Sequence, residues 1–159
     1  MALSERLLEQ AQPTLIGWRS LRHEASASSS FHSDARRFEV ATSCLPLCSG
    51  LTTSLELLAA EGTPAQRLER IQTSSSRLWQ GLQTIEGVST LLPEPPTAGL
   101  VSFMLAGLPS AAVVENLGAQ GLWIRRLDDP DCLRACTHIT TTPSEIETLL
   151  TALERLRRA

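Results

Sequence analysis

The chain is 159 residues long, with 42% hydrophobic residues and a formal net charge of -3. That length fits one domain with a real core, and the mild acidity excludes a pull toward nucleic acid or anionic membranes. All 14 basic residues are arginine, and neither lysine nor tyrosine occurs, so Schiff-base chemistry on a lysine side chain is closed to these residues.

The chain opens with a short helical stretch, Ser4 to Gln10, which Pro13 ends. The start lacks the apolar core of a signal peptide, and no apolar run reaches the roughly 20 residues of a membrane span. These features predict a soluble, cytoplasmic chain. The Ser-rich segment from Ala25 to Ser30 reads as a mobile loop. Leu45 to Glu61 has helical periodicity, with Leu47, Leu51, Leu55 and Leu58 on one face and Gly62 as the stop. A second helix follows at once. Thr63 is its N-cap, Pro64 suits the first turn and Gln66 completes a capping box. Leu68, Ile71, Ser75, Leu78, Leu82 and Ile85 form its stripe, and Gly87 ends it.

Val88 to Leu92 reads as a short strand that the segment from Pro93 to Pro96 cannot continue. The apolar run Leu100 to Leu105 has the length of a central strand. Pro109 to Ala119 reads as a short helix. Leu122 to Leu127 and Cys132 to His138 read as strands joined by a turn at Asp128 to Asp131. Thr142, Pro143 and Glu145 open the last helix, whose apolar face is Ile146, Leu149, Leu150, Leu153 and Leu156. Arg155, Arg157 and Arg158 suit the negative end of its dipole. The order predicts an α+β domain: a small, mostly antiparallel sheet with helices on one face, preceded by a long helix. Residues 1–43 have no sheet of their own to cover and read as the edge of a larger domain plus a linker. Residues 44–159 read as the α+β unit.

No phosphate-binding Gly-rich loop, zinc-protease helix or serine nucleophile elbow occurs. His23, His32 and His138 are scattered and read as surface or packing residues. The four cysteines fall into two pairs, Cys44 with Cys48 and Cys132 with Cys136. The second pair lies along a strand at about 13 Å, too far apart for one zinc, whose sulfurs sit about 2.3 Å from the metal. They read as reduced thiols, with no metal. Two regions remain. In the first, Arg36 to Ser43, Thr42 presents a hydroxyl just before a helix, where hydroxyls and amides suit a phosphate; a plain helix cap is the other reading. In the second, Arg125 and Arg134 fall on adjacent strands of a hairpin, where two guanidinium groups suit a carboxylate; solvated surface arginine is the other reading.

The segments "ARRFEVATSCLPLCSGL" and "CLRACTHITTTPSEIETLL", in this order, resemble the C-terminal part of the class V aminotransferase family of pyridoxal phosphate enzymes. That family includes cysteine desulfurases and cysteine/cystine C–S lyases. The resemblance runs from about Ala2 to Leu156 and implies the C-terminal small domain of a fold-type I enzyme. It implies that Thr42 contacts the cofactor phosphate of a neighbouring subunit, with Ala41 where glycine is usual. It implies that Arg134, assisted by Arg125, binds the substrate carboxylate. It places the Schiff-base lysine, and the aspartate and histidine that hold the cofactor ring, upstream of Met1. No cysteine lies between Cys48 and Cys132, which favours the C–S lyase branch over the desulfurases that carry a persulfide-forming cysteine on a loop there.

Two functions follow as expectations. In the first, the chain is part of a pyridoxal phosphate enzyme that performs β-elimination on cysteine or cystine. It is inactive alone, does not hold the cofactor stably by itself, and is completed by an N-terminal cofactor domain or a homodimer partner. A cysteine desulfurase or another class V aminotransferase is the alternative enzyme. In the second, the chain is a non-catalytic remnant that binds a partner through Leu7, Leu8, Leu15 and Trp18.

Overall fold

A computed structural model of the chain describes residues 3–22 and 30–158. His23 and most of the Ser-rich segment lie outside the described residues. The chain divides into two compact units, Met1–Leu57 and Leu58–Ala159.

The first unit is built from short pieces. Helix α1 spans Glu5–Gln10 and is capped by Ser4, whose side chain accepts from the amide of Leu7. The strands β1 (Leu21–Arg22) and β2 (Ser30–Phe31) pair antiparallel, so this region does carry a sheet, a minimal one that no hydrophobic periodicity announces. A 3-10 turn over Ala35–Phe38 follows, capped by Asp34. Asp34 also binds the Arg36 guanidinium, with Arg36 Nη2 at 2.7 Å from its Oδ2; these bonds hold its carboxyl well below the usual carboxylate range. Ser20 is fully buried. Its hydroxyl accepts from the Gly17 amide at 3.1 Å and donates to the Glu39 carbonyl at 2.8 Å. A Cβ on Gly17 would lie 1.8 Å from the Val40 carbonyl oxygen, so only glycine allows this approach. The Arg19–Glu39 ion pair at 3.0 Å adds to the same junction. Together these contacts fix the backbone just ahead of Thr42.

Helix α2 spans Leu45–Ala60, and none of its residues is buried. The expected stripe forms, but Leu47, Leu51, Leu55 and Leu58 all remain exposed.

The second unit holds the main core. Helix α3 runs Pro64–Gln83 behind the expected capping box: the Thr63 hydroxyl accepts from the Gln66 amide at 3.3 Å, and Gln66 Oε1 accepts from the Thr63 amide at 2.9 Å. Ser75, Leu78 and Leu82 are buried along it, while Leu68 at the first turn is exposed. Strands β3 (Val88–Thr90), β4 (Leu100–Leu105), β5 (Arg125–Asp128) and β6 (Asp131–Cys136) form one sheet in the order β3-β4-β6-β5. Every neighbouring pair is antiparallel. Helix α4 (Ser110–Gly118) connects β4 to β5, and α5 (Pro143–Arg158) closes the chain.

Val101, Phe103 and Leu105 of β4 and Leu133 and Ala135 of β6 point to one face. There they meet Leu78 and Leu82 of α3, Val113 and Leu117 of α4, and Ile146, Leu149 and Leu153 of α5. The architecture is therefore α+β, with helices on one face of an antiparallel sheet. Helix α3 passes close to α5 at Gly81, where a Cβ would sit 2.3 Å from Leu150 Cδ1 and the Leu150 side chain would have to move. The expected strand at Leu122 starts only at Arg125; Leu122 and Ile124 pack against the core outside the ladder. The last strand ends at Cys136, and Thr137 just beyond it bonds the Gly99 carbonyl through its amide at 2.7 Å and its hydroxyl at 3.2 Å.

Helix α5 begins with a second reciprocal cap. Glu145 Oε2 accepts from the Thr142 amide at 2.7 Å and from its hydroxyl at 2.8 Å, and the Glu145 amide donates back to Thr142 Oγ1 at 3.3 Å. The amide bond first, then the hydroxyl bond, lowers the Glu145 pKa. A carboxylate whose folded pKa is depressed stabilises the fold above its unfolded pKa, and that contribution is lost as pH falls through the folded value. Wild-type protein is therefore expected to lose melting temperature on acidification more steeply than Glu145→Gln, which keeps the cap without a titrating group. Parallel thermal melts from neutral to acid pH check this; equal slopes would refute it.

Candidate functional site

The outer face of the sheet carries the candidate carboxylate-binding residues. On antiparallel strands, residues directly opposite share a face. Arg125 of β5 pairs with Arg134 of β6, and Arg134 pairs with Ser102 of β4. Ser102, Arg134 and Arg125 thus form one row across three strands, on the face away from Phe103 and Leu133. Arg134 is half-buried and Arg125 exposed. Arg134 Nε donates to Ser102 Oγ at 3.2 Å. Among the described residues, neither arginine has a carboxylate partner.

Arg126 makes the contrast. It points to the other side of β5 and is fully engaged, with Nη2 at 3.2 Å from Asp128 and Nε at 3.1 Å from Asp131. One residue of register separates an arginine committed to structural carboxylates from one set opposite another arginine on the ladder. Like charges directly opposite on a sheet are unfavourable. An incoming anion would turn that repulsion into two charge-assisted contacts.

An open cleft of about 320 Å³ lies nearby, lined among others by Trp123, Ile124, Cys136, Thr140, Thr141 and Glu145. Neither arginine lines it. Trp123, 82% exposed, stands at its edge. The arginine row lies on an uncovered sheet face rather than in a closed pocket.

Thr42 belongs to the first unit, where it is exposed in the segment leading into α2. An exposed hydroxyl ahead of a helix N-terminus fits a phosphate contact. Arg125 and Arg134 come together as expected. Ser102 was not anticipated from the sequence; its signal is that it is the lone polar residue in the run Leu100–Leu105. Of the remaining candidates, His138 is exposed, with Nδ1 at 3.4 Å from Thr140 Oγ1, and His32 is half-buried. Cys132 is buried, and Cys44, Cys48 and Cys136 are exposed free thiols. Among the described residues no group of metal-ligating side chains converges, and no helix is long and apolar enough to cross a membrane.

The pattern of the family described as Aminotransferase class-V matches residues 1–149. The chain belongs to that family. Among solved structures it is similar to C-DES, described as a cystine C-S lyase and seen in complex with its reaction product cysteine persulfide, at 38% identity and a TM-score of 0.89. A C-DES mutant with glycine covalently linked to the PLP cofactor matches equally well. The match covers 96% of this chain and 40% of the C-DES chain. The fold is also shared with a cysteine desulfurase from Thermococcus onnurineus NA1, at 22% identity and a TM-score of 0.81, over 97% of this chain and 41% of that one. The cysteine desulfurase CsdA from Escherichia coli is similar at 21% identity, with a TM-score of 0.80 over 96% of this chain and 40% of its own. No curated protein matches the sequence. The chain thus corresponds to the C-terminal portion of fold-type I enzymes of this class.

If the arginine pair is held without a counter-ion, removing one member relieves repulsion. Arg125→Thr is expected to raise stability at low ionic strength by about 0.2–1 kcal/mol, and added salt should shrink the gain. Arg126→Thr, which breaks the pairs with Asp128 and Asp131, should show no such gain. Urea unfolding at two salt concentrations measures both; an Arg125→Thr variant less stable than wild type at low salt is the contrary result.

Proposed function

We propose that this class V aminotransferase chain is the carboxylate-binding, C-terminal part of a pyridoxal phosphate enzyme that cleaves the C–S bond of cysteine or cystine by β-elimination. The observation that carries the proposal is the unneutralised Arg125–Arg134 pair on an uncovered sheet face. The 38% identity to a cystine C-S lyase supports the branch, as does the absence of cysteine between Cys48 and Cys132.

The residues present fit part of the cofactor's needs. Thr42 offers a hydroxyl for the phosphate, reached from a neighbouring subunit. No side chain here can form an imine with the cofactor aldehyde, since the chain has no lysine; on this reading that bond is made by another segment. Pyridoxal phosphate, when bound, supplies an electron sink for charge developing on the substrate. Arg134 and Arg125 grip the substrate carboxylate with planar donor forks and so fix the orientation of the amino acid. Ordering of the substrate, rather than proton transfer, is what these residues contribute.

Residues 1–43 form the edge of the cofactor domain and the linker, and 44–159 the C-terminal domain. The exposed leucines of α2 agree with this, for a further domain would cover them. The chain alone is inactive on this reading.

A chimera tests it, with residues 1–159 replacing the corresponding 40% of C-DES. Arg134→Ala in that chimera is expected to lower kcat/KM for cystine by about ten- to a hundredfold, equivalent to about 1.5–3 kcal/mol, the worth of hydrogen bonds to a charged group. Unchanged kinetics would remove the assigned role. Thr42→Ala should instead loosen the cofactor, raising its dissociation constant about tenfold while leaving substrate binding to the loaded enzyme intact. Fluorescence of the released cofactor on dilution reads this, and equal retention by variant and parent speaks against a phosphate contact.

A further inference from the structure

Strand β4 is apolar except for one residue. Leu100, Val101, Phe103, Met104 and Leu105 surround Ser102, which is half-buried. A hydroxyl in such a place costs stability unless it is hydrogen-bonded, and an apolar side chain would serve the sheet as well. Its Oγ accepts from Arg134 Nε at 3.2 Å. The strand order puts β4 on one side of β6 and β5 on the other, so Arg134 is flanked by a hydroxyl on one side and by Arg125 on the other.

We infer that Ser102 is a positioning residue for carboxylate recognition. It anchors the Nε edge of Arg134 and leaves only the two Nη groups to meet a ligand. This rests on the reading of Arg134 as the carboxylate site and specifies its geometry.

A guanidinium can meet a carboxylate side-on, through Nε and one Nη, or end-on, through both Nη atoms. With Nε occupied by Ser102, the end-on approach remains. Among the described residues neither Nη of Arg134 has a protein partner, so the fork is intact. The anchor also restricts a long side chain that otherwise loses considerable rotamer freedom when it binds. It draws the guanidinium toward β4, which offsets the push that Arg125 exerts from β5. An arginine on an open sheet face gains its direction in this way without a carboxylate partner, which would compete with the ligand.

The 159-residue chain, labelled with nitrogen-15, tests the inference through its arginine Nε–H signals. Sodium acetate is the probe, with sodium chloride as the ionic-strength control. In wild type, acetate is expected to shift the Arg125 and Arg134 signals saturably, and the Arg134 Nε–H should exchange slowly with water. Ser102→Ala should speed that exchange and raise the acetate dissociation constant about threefold to tenfold. Ser102→Thr, which keeps the hydroxyl, should recover both. If Ser102→Ala leaves exchange and affinity unchanged while Arg134→Ala abolishes the acetate response, the positioning role fails and the carboxylate site stands. If Arg134→Ala also leaves the response unchanged, the carboxylate reading fails and the positioning role falls with it.

Discussion

The pairing of β4 with β6 is the constraint on which the second unit depends. Its register sets Phe103 opposite Leu133 and Val101 opposite Ala135 on the helix-covered face, and in the same step sets Ser102 opposite Arg134 on the other. Because side chains alternate with period two, a slip of one residue would carry Arg134 into the core and expel Leu133. The burial of Phe103 and Leu133, both fully excluded from solvent, makes such a slip prohibitive. The hydrophobic core therefore enforces the geometry of a polar site on the opposite face. β5 inherits its register from β6, which places Arg125 beside Arg134 through a turn of two residues.

The helices were the most legible part of the chain. Both reciprocal caps were readable as short patterns, Thr63 with Gln66 and Thr142 with Glu145, because capping is local chemistry that needs no knowledge of the rest of the fold. Strand ends were less legible. Leu122 and Ile124 look like strand residues, yet they pack on the core without joining the ladder. Hydrophobicity reports burial and does not report which backbone groups are paired. The β1–β2 pair escaped notice for a related reason: two residues on each strand are too few to make a period. Helix α2 shows the reverse case. Its stripe of leucines is periodic as the sequence implied, but periodicity says that a face wants cover without saying what supplies it.

Within the site, what could be read depended on distance along the chain. Arg125 and Arg134 lie on the two arms of one hairpin, so a turn signal at Asp128 to Asp131 was enough to bring them together. Ser102 lies on a strand reached only through α4 and β5. Its partnership with Arg134 follows from the strand order β4-β6-β5, which is a tertiary fact and has no counterpart in local spacing. Thr42 sits in the other unit, and its expected role depends on a neighbouring subunit.

The neighbouring arginines Arg125 and Arg126 differ in how their charge is met. Arg126 faces Asp128 and Asp131, within its own hairpin, and its exposed pairs contribute modestly to the turn. Arg125 lies opposite Arg134 and, among the described residues, has no such partner. A sequence selected only for hairpin stability would put an opposite or neutral residue across from Arg134, since like charges across a ladder are unfavourable. The proposed carboxylate would neutralise that repulsion. An amino-acid carboxylate meets the requirement in charge and in shape, because it presents two acceptor oxygens to two donor forks. On the proposed reading, the unfavourable pair is the counterpart of a favourable arrangement with a substrate carboxylate.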